Sequence, residues 1–154
     1  MCNGYVLALM LGKGLPTEHI SPRSTNLRRT EVLIIQGGLF LDTTELAHRV
    51  VDLVDEKQAS DIVLLDLRPV SILADYFVIC TAESHRQTKA ILESVIMELK
   101  KEGSLPLHVE GTAESGWVLV DYGSIVLHVF APPQRQYYQL EQFWRDATVV
   151  VKMQ

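Results

Sequence analysis

Two cysteines, Cys2 and Cys80, are too few for a disulfide framework or a zinc ribbon. Their scarcity suits a reducing compartment. A basic excess is also lacking. Lys plus Arg number 14 against 19 Asp plus Glu, a net charge of −5, so no broad surface for wrapping nucleic acid is expected. No apolar run has the length of a bilayer span. Tyr5 to Leu11 is too short for that, and it is a poor signal-peptide core, since no Lys or Arg precedes it and no small-x-small site follows. There is no Gly-x-Ser-x-Gly elbow. Gly12-Lys13-Gly14 lacks the preceding strand, the later glycine and the Lys-Ser/Thr pair of a phosphate loop. What is present, 47% hydrophobic and 21% charged residues in 154, is ordinary for a globular domain with a self-sufficient core.

The chain divides near residue 40, after Gly37-Gly38. Residues 16–30 mix Pro, Ser, Thr, Asn and Arg without periodicity, the make-up of a loop or a disordered tail. Residues 1–40 carry Lys13, Arg23, Arg28 and Arg29 against Glu18 and Glu31, so this segment is +2 and the remainder −7. The expectation is a flexible N-terminal extension over 1–40 and one domain over 41–154. The extension fits an organellar transit peptide only loosely, which favours a cytoplasmic protein.

Within the domain the periodicity alternates. Asp42 and Thr43 can cap a helix on which Leu46, Val50, Leu53 and Val54 recur at helical spacing, to about Gln58. Asp61 to Leu67 and Tyr76 to Cys80 are apolar runs that read as buried strands. Ser84-His-Arg-Gln87 has capping-box spacing and opens a helix with Ile91, Val95 and Leu99 on its stripe, stopped by Gly103. Leu105 to Val109 predicts a short strand. Trp117 to Asp121 and Ile125 to Phe130 predict a hairpin turning at Tyr122-Gly123-Ser124. Pro132-Pro133 can start a last helix with Tyr137, Leu140 and Trp144 on one face. The fold class is therefore α/β (α+β): a mixed five-stranded sheet flanked by helices.

Catalytic patterns are weak. His108-Val109-Glu110 matches half of a zinc-deaminase signature, but the Pro-Cys-x-x-Cys half is missing. Cys80 lies in an apolar strand, where an inert buried thiol is expected. Asp61, Asp66, Asp75 and Asp121 are the carboxylates that could hold magnesium for a nucleotidyltransferase, yet no two are spaced i, i+2. Asp61 and Asp66, five apart, point to opposite faces of a regular strand. The five histidines are scattered, and His128 reads as a hydrogen-bonded core or edge residue. No metal or cofactor is implied.

A surface is the better candidate. Trp117, Leu119 and Asp121 share one face of their strand, and a fully buried face would not normally hold an unpaired Asp. Two readings remain open: Trp117 is an exposed anchor of the kind enriched at interface hot spots, or it plugs the core while Asp121 starts the turn.

Several segments in order resemble the ribosomal silencing factors, the Iojap family. They are Asp61 to Leu67, Ala74 to Ala82, Ser84-x-Arg86-Gln87, Leu105 to Gly111, Gly116 to Gly123, Ile125 to Phe130, and Tyr137-x-x-Leu140-Glu141-x-Phe143-Trp144. The resemblance spans residues 41 to about 146. It implies a fold related to nucleotidyltransferases without their catalytic carboxylates, and a protein that is not an enzyme. It implies binding to the large ribosomal subunit through its fourteenth ribosomal protein, steric blocking of subunit joining, and repression of translation. Homodimers are implied when the ribosome is absent, while the acidic charge and the short apolar run give the expectation of no extensive nucleic-acid contact and no membrane association. The expected contact region is Trp117, Leu119, Asp121, Tyr122 and Gly123, with Arg86 and Gln87 behind them. The rival expectation is a magnesium-dependent nucleotidyltransferase using Asp61, Asp66 or Asp75. A generic dimeric adaptor is a third.

Overall fold

The computed structural model describes residues 42–154. The expected N-terminal extension over 1–40 lies outside them. The element order is α1 (Thr43–Glu56), β1 (Ser60–Asp66), β2 (Tyr76–Thr81), α2 (His85–Lys101), β3 (His108–Glu110), a 3-10 turn (Ala113–Ser115), β4 (Trp117–Asp121), β5 (Ile125–Phe130), α3 (Pro132–Tyr138), α4 (Leu140–Phe143) and β6 (Thr148–Met153). The strands form one mixed sheet in the order β3-β4-β5-β2-β1-β6, with β2 and β5 parallel and the other pairs antiparallel.

The two long helices form where the apolar spacing put them. Asp42 caps α1 through a reciprocal box: its Oδ1 accepts from the Glu45 amide at 2.8 Å, and Glu45 Oε2 accepts from the Asp42 amide at 3.2 Å. Ser84 caps α2 by accepting from the Gln87 amide at 3.2 Å. The return half of that box is absent, since the Gln87 side chain accepts from the Glu83 amide instead. Both helices bury their stripes on one sheet face, Val50, Leu53 and Val54 from α1 and Ile91, Val95 and Leu99 from α2. They cover Ile62, Leu64, Val78, Leu127 and Val129 of the strands.

The opposite face carries Val63, Leu65, Phe77, Ile79, Trp117, Leu119, Val126 and Phe130. It packs against Leu140, Trp144, Ala147, Tyr138 and Leu73. Here the sequence reading needs correction. The last helix is two short pieces, because Gln139 adopts a left-handed conformation (φ 45°) between α3 and α4. Leu140 and Trp144 are buried, whereas Tyr137 is 80% exposed, so the three do not share a face. The sheet has six strands rather than five. Thr148–Met153 pairs with β1 as the sixth strand, and its run of three valines suits that place.

At the start of β1 the register slips between Ser60 and Val63, and Asp61 takes a positive φ of 48°. Arg135 Nη2 donates to the Asp61 carbonyl at 2.8 Å, and Nη1 donates to Thr81 Oγ1 at 3.0 Å. The same guanidinium is paired with Glu141. One arginine thus ties α3 and α4 to the bulged end of the sheet. No helix among the described residues is long and apolar enough to cross a membrane.

Candidate functional site

The expected contact residues divide into a buried row and an exposed turn. Strand alternation puts Trp117, Leu119 and Asp121 on the face away from α1 and α2. All three are covered, with Trp117 at 8% exposure. Of the two readings open for Trp117, the structure takes the core one. The indole stacks on Phe130 with centroids 4.8 Å apart and lies 4.6 Å from the Tyr138 ring. Its Nε1–H donates to His128 Nδ1 at 3.3 Å. Trp117 is therefore corrected from an exposed anchor to part of an aromatic layer.

That bond assigns the ring proton of His128 to Nε2, which has no hydrogen-bond partner. Burial pushes His128 down to about 3, so the ring is neutral at physiological pH. The edge of Phe77 packs on it at 4.7 Å.

Asp121 has a positional task. Its Oδ1 accepts from the Gly123 amide at 2.6 Å, folding the carboxylate under the turn. Gly123 has a φ of +86°, a conformation that favours glycine, and a Cβ there would lie 3.2 Å from Leu107 Cδ1. The Tyr122 amide donates to the Ile125 carbonyl, which closes the hairpin. Tyr122 is half-buried, its hydroxyl lacks a hydrogen-bond partner, and burial pushes it up to about 12. Of the five residues expected on and beside β4, Tyr122 and Gly123 are thus the ones that reach the surface.

Beside this turn lies a feature the sequence reading missed. Leu105, Leu107 and Val109 are 60%, 74% and 43% exposed, alternating along the segment that leads into and forms β3. Because β3 is a marginal strand, its outer backbone edge is unpaired among the described residues. The alternation was visible in Leu105-Pro-Leu107-His-Val109. Alternation alone predicted a short strand there and left open which side faces solvent. The carboxylates on this margin are Asp121, opposite His108, and Glu110, opposite Leu119, with His108 Nε2 at 3.7 Å from Glu110 Oε2.

Arg86 and Gln87 stand elsewhere. They open α2, which follows the Thr81 end of β2, while Tyr122–Gly123 adjoins the Tyr76 end. Arg86 is exposed. The Gln87 side chain donates to the carbonyls of Lys57 (3.1 Å) and Gln58 (2.7 Å) and accepts from Glu83, so it fastens α2 to the end of α1.

The candidate catalytic groups do not assemble. Asp61 sits at one end of β1, and Asp66 at the other, where it binds Arg68. Asp75 adjoins the Asp66 end, its carbonyl accepting from Leu67. Among the described residues no three His, Cys, Asp or Glu side chains are grouped to hold a metal ion. Burial pushes the Cys80 thiol up to about 12, an unreactive state.

Residues 41–154 match a family model described as "Ribosomal silencing factor during starvation". The ribosomal silencing factor RsfS of Bacillus subtilis is 43% identical over 93 residues, covering 60% of this chain and 79% of that protein. A mouse protein named "Mitochondrial assembly of ribosomal large subunit protein 1" is 32% identical over 97 residues, 61% of this chain and 42% of its own length. A crystal structure of a Chromobacterium violaceum protein superposes with a TM-score of 0.66 at 31% identity, over 72% of this chain and 94% of the other.

Proposed function

Because the chain belongs to the ribosomal silencing factor family, we propose that it binds the large ribosomal subunit through the fourteenth large-subunit ribosomal protein. There it occupies ground that the small subunit needs and so represses translation in the cytoplasm. The observation that carries the reading is the unpaired β3 margin, with its exposed row Leu105, Leu107 and Val109 beside the Tyr122–Gly123 turn. A sheet margin offers backbone donors and acceptors to a partner, and the leucines offer apolar contact. Asp121 holds the turn in shape, and Trp117 and Leu119 stiffen the layer beneath it. Residues 41–154 carry a net −7, which suits a basic ribosomal protein and raises the encounter rate. Blocking by occupancy needs no covalent step. In the free protein the same margin pairs two copies, so ribosome binding and dimerisation compete.

Leu107→Asp tests this, since the side chain is mostly in solvent and its loss leaves the core intact. The variant should keep its melting temperature and lose tenfold or more in co-sedimentation with free large subunits. It should also run as a monomer in light scattering. A photo-crosslinking residue at 107 should capture the fourteenth large-subunit protein. Undiminished co-sedimentation, or capture of a different ribosomal protein, overturns the reading.

A further inference from the structure

The margin opposite β3 is β6, and its chemistry is different. It is six residues long, and Val149, Val150 and Met153 are 56%, 42% and 37% exposed. Its outer backbone edge is also unpaired among the described residues. Beside it, between β1–β6 and α3–α4, runs a cleft of about 370 Å³. Val63, Leu65 and Val149 contribute apolar surface to it, and Arg145 and Lys152 line it with exposed cations. Among the described residues neither cation makes an ion pair or hydrogen bond, whereas Arg135 in the same cleft is consumed by Glu141, Thr81 and Asp61. We propose that β6 is a second docking edge, which takes an extended acidic peptide segment as an added strand with its carboxylates held by Arg145 and Lys152.

Three features select this occupant. An edge of six residues gives a strand-length run of backbone groups, which an extended peptide uses and a nucleic acid does not. Lys152 aligns with Val63, on the cleft-facing side of the sheet, so a glutamate on the cleft side of an added strand meets a cation instead of solvent. The register slip between Leu64 and Leu65 puts Val150 out of step and bends the edge. Bulges and edge lysines disfavour indiscriminate strand pairing, so the edge admits a partner whose charge matches and discourages a second β6. The site is independent of the ribosomal reading, which uses the far margin.

The test uses the full chain, ¹⁵N-labelled, with three probes. These are acetyl-Thr-Val-Glu-Val-Glu-Val-amide, its counterpart with Lys in place of Glu, and a uridine hexanucleotide. The glutamate peptide should shift the amides of Thr148–Met153 and slow their hydrogen exchange tenfold or more, and the lysine peptide should do neither. Arg145→Glu and Lys152→Glu should each weaken binding at least tenfold, while Leu107→Asp leaves it unchanged. Equal binding of both peptides, or unaltered exchange at β6, overturns the proposal. So does an oligonucleotide that binds with the same dependence on Arg145 and Lys152 and displaces the peptide, since it makes the cleft a phosphate surface.

Discussion

The two faces of the sheet are built by different means. Under α1 and α2 the contact is between two amphipathic helices and a wall of mostly aliphatic side chains, with Tyr76, Thr88 and Cys80 as the exceptions. The other face is covered by two helical fragments and loops, and its interior holds Trp117, His128, Phe77, Phe130 and Trp144. Hydrophobic burial secures the first at roughly 25 cal/mol per Å² and tolerates swaps of similar volume. The second holds two polar atoms without partners in its interior, His128 Nε2 and Trp144 Nε1, where the first has the Tyr122 hydroxyl at its margin, and each such atom costs on the order of 1–3 kcal/mol. The apolar face supplies stability. The aromatic face adjoins the exposed β3 margin.

Substitutions can break this contrast or sharpen it. The largest effect should come from Trp117→Ala, about 3–5 kcal/mol in urea unfolding, because a stacked ring and a buried hydrogen bond leave together. Leu99→Ala on the helical face should cost about 2–5 kcal/mol and leave ribosome binding at matched folded concentration unaffected. Trp117→Ala should lower binding as well, so equal behaviour of the two variants would erase the distinction between the faces. Acid should then separate them. An unfolded histidine takes a proton below about 6.5, whereas His128 in the fold stays neutral until about 3. Between these values the unfolded state binds more protons, so stability falls as pH drops, by at most about 1.4 kcal/mol per unit. His128→Leu should flatten that part of the difference between wild type and variant in unfolding measured from pH 7 to pH 4. The smallest effect belongs to Gln87→Ala, about 1 kcal/mol, since its three hydrogen bonds lie near solvent.

The same contrast explains what could be read from the chain alone. Leu46, Val50, Leu53 and Val54, then Ile91, Val95 and Leu99, repeat over enough turns for the period to declare both helices. The central strands are short apolar runs between polar bounds, and they too were legible. The aromatic face has no such redundancy. Seven residues of α3 and four of α4 are too few to establish a period, and a single positive φ at Gln139 turns Leu140 inward and Tyr137 outward. Trp117 could be placed on a face by alternation, but whether anything covers that face depends on Tyr138, Leu140 and Trp144, more than 20 positions downstream. The exposed leucines of 105 and 107 were hidden for a related reason. Alternation shows that residues share a side, not which side is wet.

The pairing of β6 with β1 also bears on how the chain comes to be folded. Ile62 aligns with Met153, so β1 keeps one flank open until residues 148–153 have left the ribosome that makes them. The β1–β2 and β4–β5 hairpins are local and can form during synthesis, whereas the parallel β2–β5 junction and the β6 closure must wait for distant partners. A nascent chain stalled before residue 148 therefore presents an unsatisfied strand to its neighbours, and synthesis of residues 148–153 is what seals it.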